Sequence, residues 1–311
     1  MKPAIAVLGS LNMDFVVSVA HLPAPGETVL GCDFQTIPGG KGANQACAAG
    51  RLASDTVAVR MAGRVGEDVF GDQLKASLAA AHVDVSFVHA MRSQPTGVAL
   101  IWVDAGGQNS IVVASGANYA LAAGDVESLR PFYRGAAAAL FQLETPLDAV
   151  AAALRLAKEE GAMSILDPAP AQALPSALLA HVDVLTPNET EAAILLGRPA
   201  SGRLSLADAP AVAQSLRQLG PSRIVLKLGD RGCYFWDGGE GMHVPSFPVT
   251  AVDSTAAGDT FNGALAVALG EGVALPQALR FANAAAALSV TRRGAQASVP
   301  TRAEVDGFLR A

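Results

Sequence analysis

The sequence predicts an α/β fold: a mostly parallel central sheet flanked by helices on both faces, with a small second β-sheet beside it. Three observations carry this. Short, nearly continuous apolar runs alternate with helical patterns along most of the 311 residues, as expected of strands buried on both faces. Apolar residues make up 51 % of the chain and charged residues 16 %, which calls for a large core. Two stretches instead alternate polar with apolar residues around Pro/Gly turns, the pattern of hairpins.

The strands of the central sheet are expected at "AIAVLG" (4–9), "VAVRMAG" (57–63), "AALFQL" (138–143), "MSILD" (163–167), "VDVLT" (182–186) and "RIVLKLG" (223–229). Helical patterns lie between them, near 40–53, 68–81, 147–160, 189–196 and 207–219. A further helix opens at "AAGD" (256–259). Its Phe261, Ala264, Leu265, Ala268 and Leu269 recur at spacings of three and four and predict one buried stripe, with Gly270 and Gly272 marking its end. Residues 12–36 and 96–114 read as the two hairpins, the second with "DAGGQN" as its loop. Four strands without helices predict a small separate sheet that serves as a lid or an oligomer contact. No internal repeat or low-complexity linker breaks the chain, so 1–311 is expected to be one domain.

Composition narrows the function. A net charge of −6 speaks against a nucleic-acid binder. Cys32, Cys47 and Cys233 are odd in number and widely spaced, which predicts free thiols in a reducing cytoplasm rather than disulfides or a zinc site. The N-terminal apolar run is short for a signal peptide, and the Ala-rich stretches are broken by Glu271, Gly and Pro276, so no membrane partner is expected. "GGKGANQA" (39–46) opens a helix but has neither a Walker A pattern nor GxGxxG. No G-x-S-x-G elbow is present.

What remains is a set of polar groups placed after strands or at helix starts, where ligands of such sheets bind. Asn12 and Asp14 follow the first strand, and Lys41 and Asn44 stand among small residues in the next helix's first turn. Glu144 and Asp167 end two further strands. Asn188 and Glu191, three apart, suit a capping box as well as an oxygen cluster near a phosphate-bound Mg²⁺. Asp259 sits at or beside a helix N-cap, where aspartate often only caps. Yet the small residues Ala256, Ala257 and Gly258 before it let an anion approach the backbone, and the helix N-terminus is expected to lower the Asp259 pKa. Carboxylates, an anion-binding helix end and no nucleophile fit phosphoryl transfer.

Eight segments, "GSLNMD", "PGETV", "PGGKGANQA", "TGVAL", "DPAPA", "TPNETEA", "AAGDTFNGAL" and "RRGAQASVP", occur in an order and spacing that resemble the ribokinase family of carbohydrate kinases over nearly the whole chain. The resemblance implies transfer of the γ-phosphoryl group of ATP to the 5-hydroxyl of D-ribose. A kinase for another pentose, a hexose or a nucleoside is the alternative, and a non-catalytic sugar sensor a different class. It implies Asp259 as base, with Ala256, Ala257 and Gly258 forming an anion hole, and a sugar site of Asn12, Asp14, Gly40, Lys41, Asn44 and Glu144. The nucleotide site would comprise Lys227, Gly229, Gly258 and Asn283, with Asn188 and Glu191 near Mg²⁺ and phosphate. A K⁺ site would draw on Asp253, Thr255, Ser289, Arg292, Gly294 and Ser298, partly through backbone oxygens. A homodimer through the lid sheet is implied as well. One departure stands out: "LKLGDRG" puts Lys227 where the resemblance leads one to expect a small hydroxyl residue.

Overall fold

The computed structural model describes residues 2–199 and 203–311. In chain order run β1 (Ala4–Leu8), β2 (Asn12–Ser18), β3 (Cys32–Gly39), α1 (Lys41–Leu52), β4 (Ala58–Gly66), α2 (Val69–Ala80), β5 (Val83–Met91), β6 (Gly97–Val103) and β7 (Asn109–Ala114). There follow α3 (Arg130–Tyr133), β8 (Ala136–Phe141), α4 (Leu147–Glu159), β9 (Met163–Leu166), α5 (Ser176–Leu179), β10 (Val184–Leu185), α6 (Glu189–Leu195), α7 (Ala209–Arg217) and β11 (Arg223–Lys227). The chain ends with β12 (Cys233–Trp236), β13 (Met242–Val244), α8 (Ala257–Gly270), α9 (Leu275–Ser289) and α10 (Arg302–Arg310).

Nine strands form the central sheet in the order β13-β12-β11-β10-β9-β8-β1-β4-β5. Every pairing from β11 to β5 is parallel, and the two antiparallel pairings, β11–β12 and β12–β13, lie at one end. The strand pattern explains why both faces are covered. In β1, Ile5 and Val7 enter one hydrophobic core while Ala6 and Leu8 enter the other, so each strand needs a helical layer on either side. The helices α1, α2, α8 and α9 contribute to the first core, and α4 and α7 to the second.

The two helix-free stretches form the second sheet, in the order β3-β2-β6-β7. The β2–β3 and β6–β7 pairs are antiparallel, as the hairpin pattern predicts, and β2 joins β6 in parallel.

Three expectations change. The strand β5 was not anticipated, because most of its residues are only partly buried at the sheet edge. Nor were β12 and β13, two short strands at the other end of the sheet, or the helices α9 and α10. The α8 helix has no single stripe: residues 259–268 are buried all round, since it is packed between α1, α9 and the sheet. Asp259 is not the N-cap either. That position is Ala256, in the left-handed region at φ 56°, and Asp259 lies in the first helical turn. All three cysteines are free. Among the described residues no helix is long and apolar enough to cross a membrane.

Candidate active site

The central sheet reverses its winding at β1 and β8, neighbours whose chains continue to opposite sides, and ligands bind at such a point. Glycines bring the loops there into contact. A Cβ at Gly42 would stand 2.6 Å from the backbone of Gly9 and Ser10, so only glycine lets the start of α1 press on the loop after β1. Gly40, at φ 88°, turns the chain into that helix, and a Cβ there would meet Asn12 N at 2.7 Å. The Ser10 hydroxyl and the Lys41 amide both donate to Glu144 Oε2, at 2.5 and 3.0 Å. That bond set fastens the Glu144 carboxylate, on the loop after β8, beside the start of α1.

Asn12 and Asp14 open β2 next to this knot. Asn12 Oδ1 accepts from Asn118 Nδ2 at 2.8 Å, and Asn118 is itself clamped on the backbone of Leu11 in both directions. Asn118 belongs to a short 3₁₀ turn far along the chain, and nothing in the sequence singles it out. The Asp14 carboxylate accepts no hydrogen bond among the described residues, and burial with Glu144 nearby pushes its pKa up to about 7. It lies over Gly39, where a Cβ would fall 2.1 Å from Oδ2.

Asp259 is nearly inaccessible. Burial raises its carboxyl to about 6, the Lys41 ammonium pulling the other way and the Asp167 carboxylate adding to the rise. The helix N-terminus, expected to lower it, is outweighed by loss of water. Its oxygens are not spent on capping: α8 has no side-chain cap. Instead Asn44 Nδ2 donates to Oδ2 at 3.1 Å and Gln45 Nε2 to Oδ1 at 3.0 Å. Another glycine makes this possible. Gly263 on α8 lies so close to α1 that a Cβ would stand 2.7 Å from Ala48 Cβ and 2.8 Å from Gln45 O.

Asp259 lines a cavity of about 260 Å³ together with Lys41, Asp167, Glu191, Lys227 and Gly258. Two cations, Lys41 and Lys227, therefore face three acids, Asp167, Glu191 and Asp259. Burial disfavours the Lys41 charge, but Asp259, Asp167, Glu144 and Glu191 outweigh it and hold the ammonium protonated. Lys227 is buried and likewise kept charged, chiefly by Asp167, whose Oδ1 it meets at 2.8 Å. Asn188 and Glu191 form the capping box of α6, side chain to backbone both ways. Both still line the cavity, and burial raises the Glu191 pKa. Among the described residues the amides of Ala256, Gly258 and Asp259 make no hydrogen bond, whereas that of Ala257 reaches Ser254 O at 3.2 Å.

A second cavity, of about 520 Å³, meets the first at Lys227, Gly229, Ser254, Ala257 and Gly258. Its far walls are apolar, with Phe247, Val249, Phe261 and Val290 among them. Asn283 also lines it, its amide held by the carbonyls of Val244 and Pro245 at 3.0 and 3.2 Å. A slot for a planar ring that narrows to a pair of ammonium groups and a helix N-terminus is a place for a nucleotide and its phosphates.

Residues 2–302 match the model of the pfkB family carbohydrate kinases. The chain belongs to this family. Among curated pfkB-type relatives, the ribokinase of Haemophilus influenzae is 41 % identical over 309 residues, covering 99 % of each chain. The ribokinase of Bacillus subtilis is 42 % identical over 311 residues, 98 % of this chain and 99 % of its own. The solved structure of Arabidopsis thaliana ribokinase complexed with ribose and ATP superposes with a TM-score of 0.91 at 34 % identity, over the full length of both chains. The resemblance drawn from the eight segments, and the fold it implies, are borne out.

In this carbohydrate kinase the residues suggested for K⁺ lie on the loop before α8 and on the segment that runs from Ser289, the last residue of α9, to the 3₁₀ turn holding Ser298. Asp253 ties them: its Oδ1 accepts from Thr255 N and its Oδ2 from Gly294 N, both at 2.9 Å. Those bonds outweigh burial and keep its pKa low. The Ser289 and Ser298 hydroxyls donate back to Ala286 O and Ala295 O at 2.8 Å. The Arg292 guanidinium turns away to Glu304 at 2.6 Å, so this residue has only its backbone to offer. Sequence reasoning left Gln45, Gln142 and Asn118 out of the site and gave Asp167 no task. The spacing of Gln45 from Lys41, four residues on the face that carries Asn44, was the available signal.

Proposed function

We propose that this chain is an ATP-dependent ribose kinase that transfers the γ-phosphoryl group of MgATP to the 5-hydroxyl of D-ribose, giving D-ribose 5-phosphate. One observation carries the reading: a buried carboxylate, Asp259, held by two amides where a small polar cavity joins a larger apolar-walled one. The names of the relatives, and the ribose and ATP of the Arabidopsis thaliana complex, support the choice of sugar and nucleotide. Asn12, Asp14, Gly40, Lys41, Asn44 and Glu144 hold the sugar, their compact polar set suiting vicinal hydroxyls. Asp259 takes the hydroxyl proton as the new O–P bond forms. The open amides at the start of α8, with Lys41, offset charge on the transferring group, and Lys227, Gly229, Gly258 and Asn283 line the nucleotide side.

Two ions accompany this reading. Among the described residues no cluster of three or more Asp, Glu, His or Cys is placed to hold a metal ion. The site therefore fits a Mg²⁺ carried mainly by phosphate oxygens and water, with Glu191 and Asn188 nearby; bound there, it neutralises phosphate charge. The Asp253 carboxylate and the carbonyl-rich loops around it fit a weakly charged, oxygen-liganded ion such as K⁺, with Thr255, Ser289, Arg292, Gly294 and Ser298 as further donors through hydroxyl or backbone oxygens. The four-stranded sheet, built from segments 12–36 and 96–114 with their flanks, serves as lid and as the contact of a homodimer. Its exposed Leu100, Ile111, Val112 and Val113 support that use.

The test is ADP release from MgATP with a panel of pentoses, hexoses and nucleosides, with and without K⁺. Ribose-dependent turnover that K⁺ raises is the expected result. Turnover with another sugar alone would keep the chemistry and move the substrate, and saturable ribose binding without turnover would make the chain a sensor.

A further inference from the structure

The polar group nearest to Asp259 that the reading above leaves without a role is Gln45. It is fully buried, and its amide nitrogen meets two carboxylates, Asp259 Oδ1 at 3.0 Å and Asp167 Oδ2 at 2.9 Å. Its oxygen accepts from Gln142 Nε2 at 2.6 Å. Turned the other way, the amide would aim its oxygen at both acids, so the network admits one orientation. Gln142 is fixed in turn by Gly9, where a Cβ would stand 2.0 Å from Gln142 Oε1. At the other end, Asp167 Oδ1 accepts from Lys227 Nζ at 2.8 Å, and the side chains of the pair are only 3 % and 12 % exposed.

A buried ion pair is weak support for a fold, because desolvation cancels most of the attraction. Its place argues for another use. Lys227 Nζ stands 3.3 Å from the position of a Cβ on Gly258, at the start of α8 where the two cavities join. An ammonium has three donors, and one is taken by Asp167. Lys227 also stands where the family resemblance leads one to expect a small hydroxyl residue, and Asp167 provides its countercharge.

We propose that Asp167 and Gln45 are positioning residues of the transfer step: Asp167 holds the Lys227 ammonium against the transferring phosphoryl group, and the Gln45 amide ties that carboxylate to Asp259, fixing the base toward the acceptor hydroxyl. This rests on the kinase reading above. Asp259 faces Lys41 from α1, Asp167 from the end of β9 and Lys227 from the end of β11, with Glu191 of α6 across the cavity. Removing the Gln45 donor takes a bond from the ionised base, and removing the Asp167 charge takes away a like neighbour. The two changes therefore move the acid limb of the rate profile in opposite directions.

The experiment is steady-state kinetics of the full chain with MgATP, run from acid to neutral pH with whichever sugar the parent turns over best. Gln45→Ala is expected to lower kcat about 10²-fold with the sugar KM within about threefold, and to move the acid limb to higher pH. Asp167→Asn moves it to lower pH. Lys227→Met leaves a buried carboxylate without its cation and can fail to fold. The double variant Asp167→Asn/Lys227→Thr removes both charges, and is expected to fold yet lose about tenfold or more in kcat. Folded Gln45→Ala and Asp167→Asn with the parent's kcat and pH profile would overturn the inference alone. A parent inactive on every sugar would overturn it together with the kinase reading.

Discussion

The carboxylate of Asp14 rests on the α-carbon of Gly39, so closely that a methyl group there would stand 2.1 Å from Oδ2. The two residues sit on paired strands, β2 and β3, with Asn12 directly opposite Gly39. Gly39→Ala is therefore expected to push Asp14 out of the proposed sugar site without touching Asp259, the proposed base. Ribose KM should rise about tenfold, equivalent to ~1.4 kcal/mol, while kcat at saturating sugar stays near that of the parent. Equal losses in kcat and in affinity would place the damage elsewhere.

In its proposed role as a sugar ligand, Asp14 also ties sugar binding to stability. Its pKa is raised from the ordinary carboxylate range to about 7, so the native state holds a proton that the unfolded chain has lost between roughly pH 4 and 7. With more protons bound in the native state, stability falls as pH rises through that window, and the penalty is complete above it. Asp14→Asn should consequently raise the melting temperature of the free protein at pH 8, with little gain at pH 4, and weaken ribose binding at both. A gain that is the same at the two pH values would refute the linkage.

Asp259, raised to about 6 by burial, must be ionised to accept a proton. The acid limb of kcat/KM, which reports the free enzyme, is expected near pH 6, with the rate falling below it. Asp259→Asn keeps the shape and both amide neighbours but removes the base, and should cost about 10²–10⁴-fold in kcat with ribose binding retained. Calorimetric titration of ribose into the inactive variant separates this from a collapsed site.

Much of this site was legible because strand ends and helix starts can be read from local pattern. Asn12, Lys41, Asn44, Glu144, Asn188, Glu191, Lys227 and Asp259 all stand where a parallel sheet opens. What escaped was the contact between elements. The bond from Asn118 to Asn12 spans 106 residues and that from Gln45 to Asp259 spans 214. The helix crossing that permits the second depends on Gly263, which in sequence is one glycine among 31. The pKa of Asp259 was misjudged for a related reason. The helix start is visible in the sequence, but the packing on every side of α8 is not. Edge strands such as β5 carry too little burial to mark themselves.

The second sheet makes a prediction about assembly. Leu100 and Val112 lie directly opposite on β6 and β7 and are 42 % and 53 % exposed, an apolar pair that the described residues of the single chain leave about half uncovered. If this face is the homodimer contact, Val112→Asp should place an uncompensated charge in it and shift the protein to monomer in sedimentation equilibrium. The parent is expected to sediment as a dimer at the same concentration. A parent that is monomeric throughout would remove the proposed contact.

Asp253 offers the last test, because its carboxylate joins the loop before α8 to the loop around Gly294 through two 2.9 Å bonds from backbone amides. An oxygen-liganded ion in this place would order the residues that lead into the anion-binding turn at Ala256. Asp253→Ala removes both bonds and the negative charge together. It is expected to abolish the activation of turnover by K⁺ and to leave a kcat at or below that of the parent without K⁺. Ribose affinity, set by groups beyond Asp259, should change by less than about threefold. The check is a K⁺ titration of parent and variant at constant ionic strength. A variant that responds to K⁺ with the parent's midpoint and amplitude would show that the ion acts elsewhere.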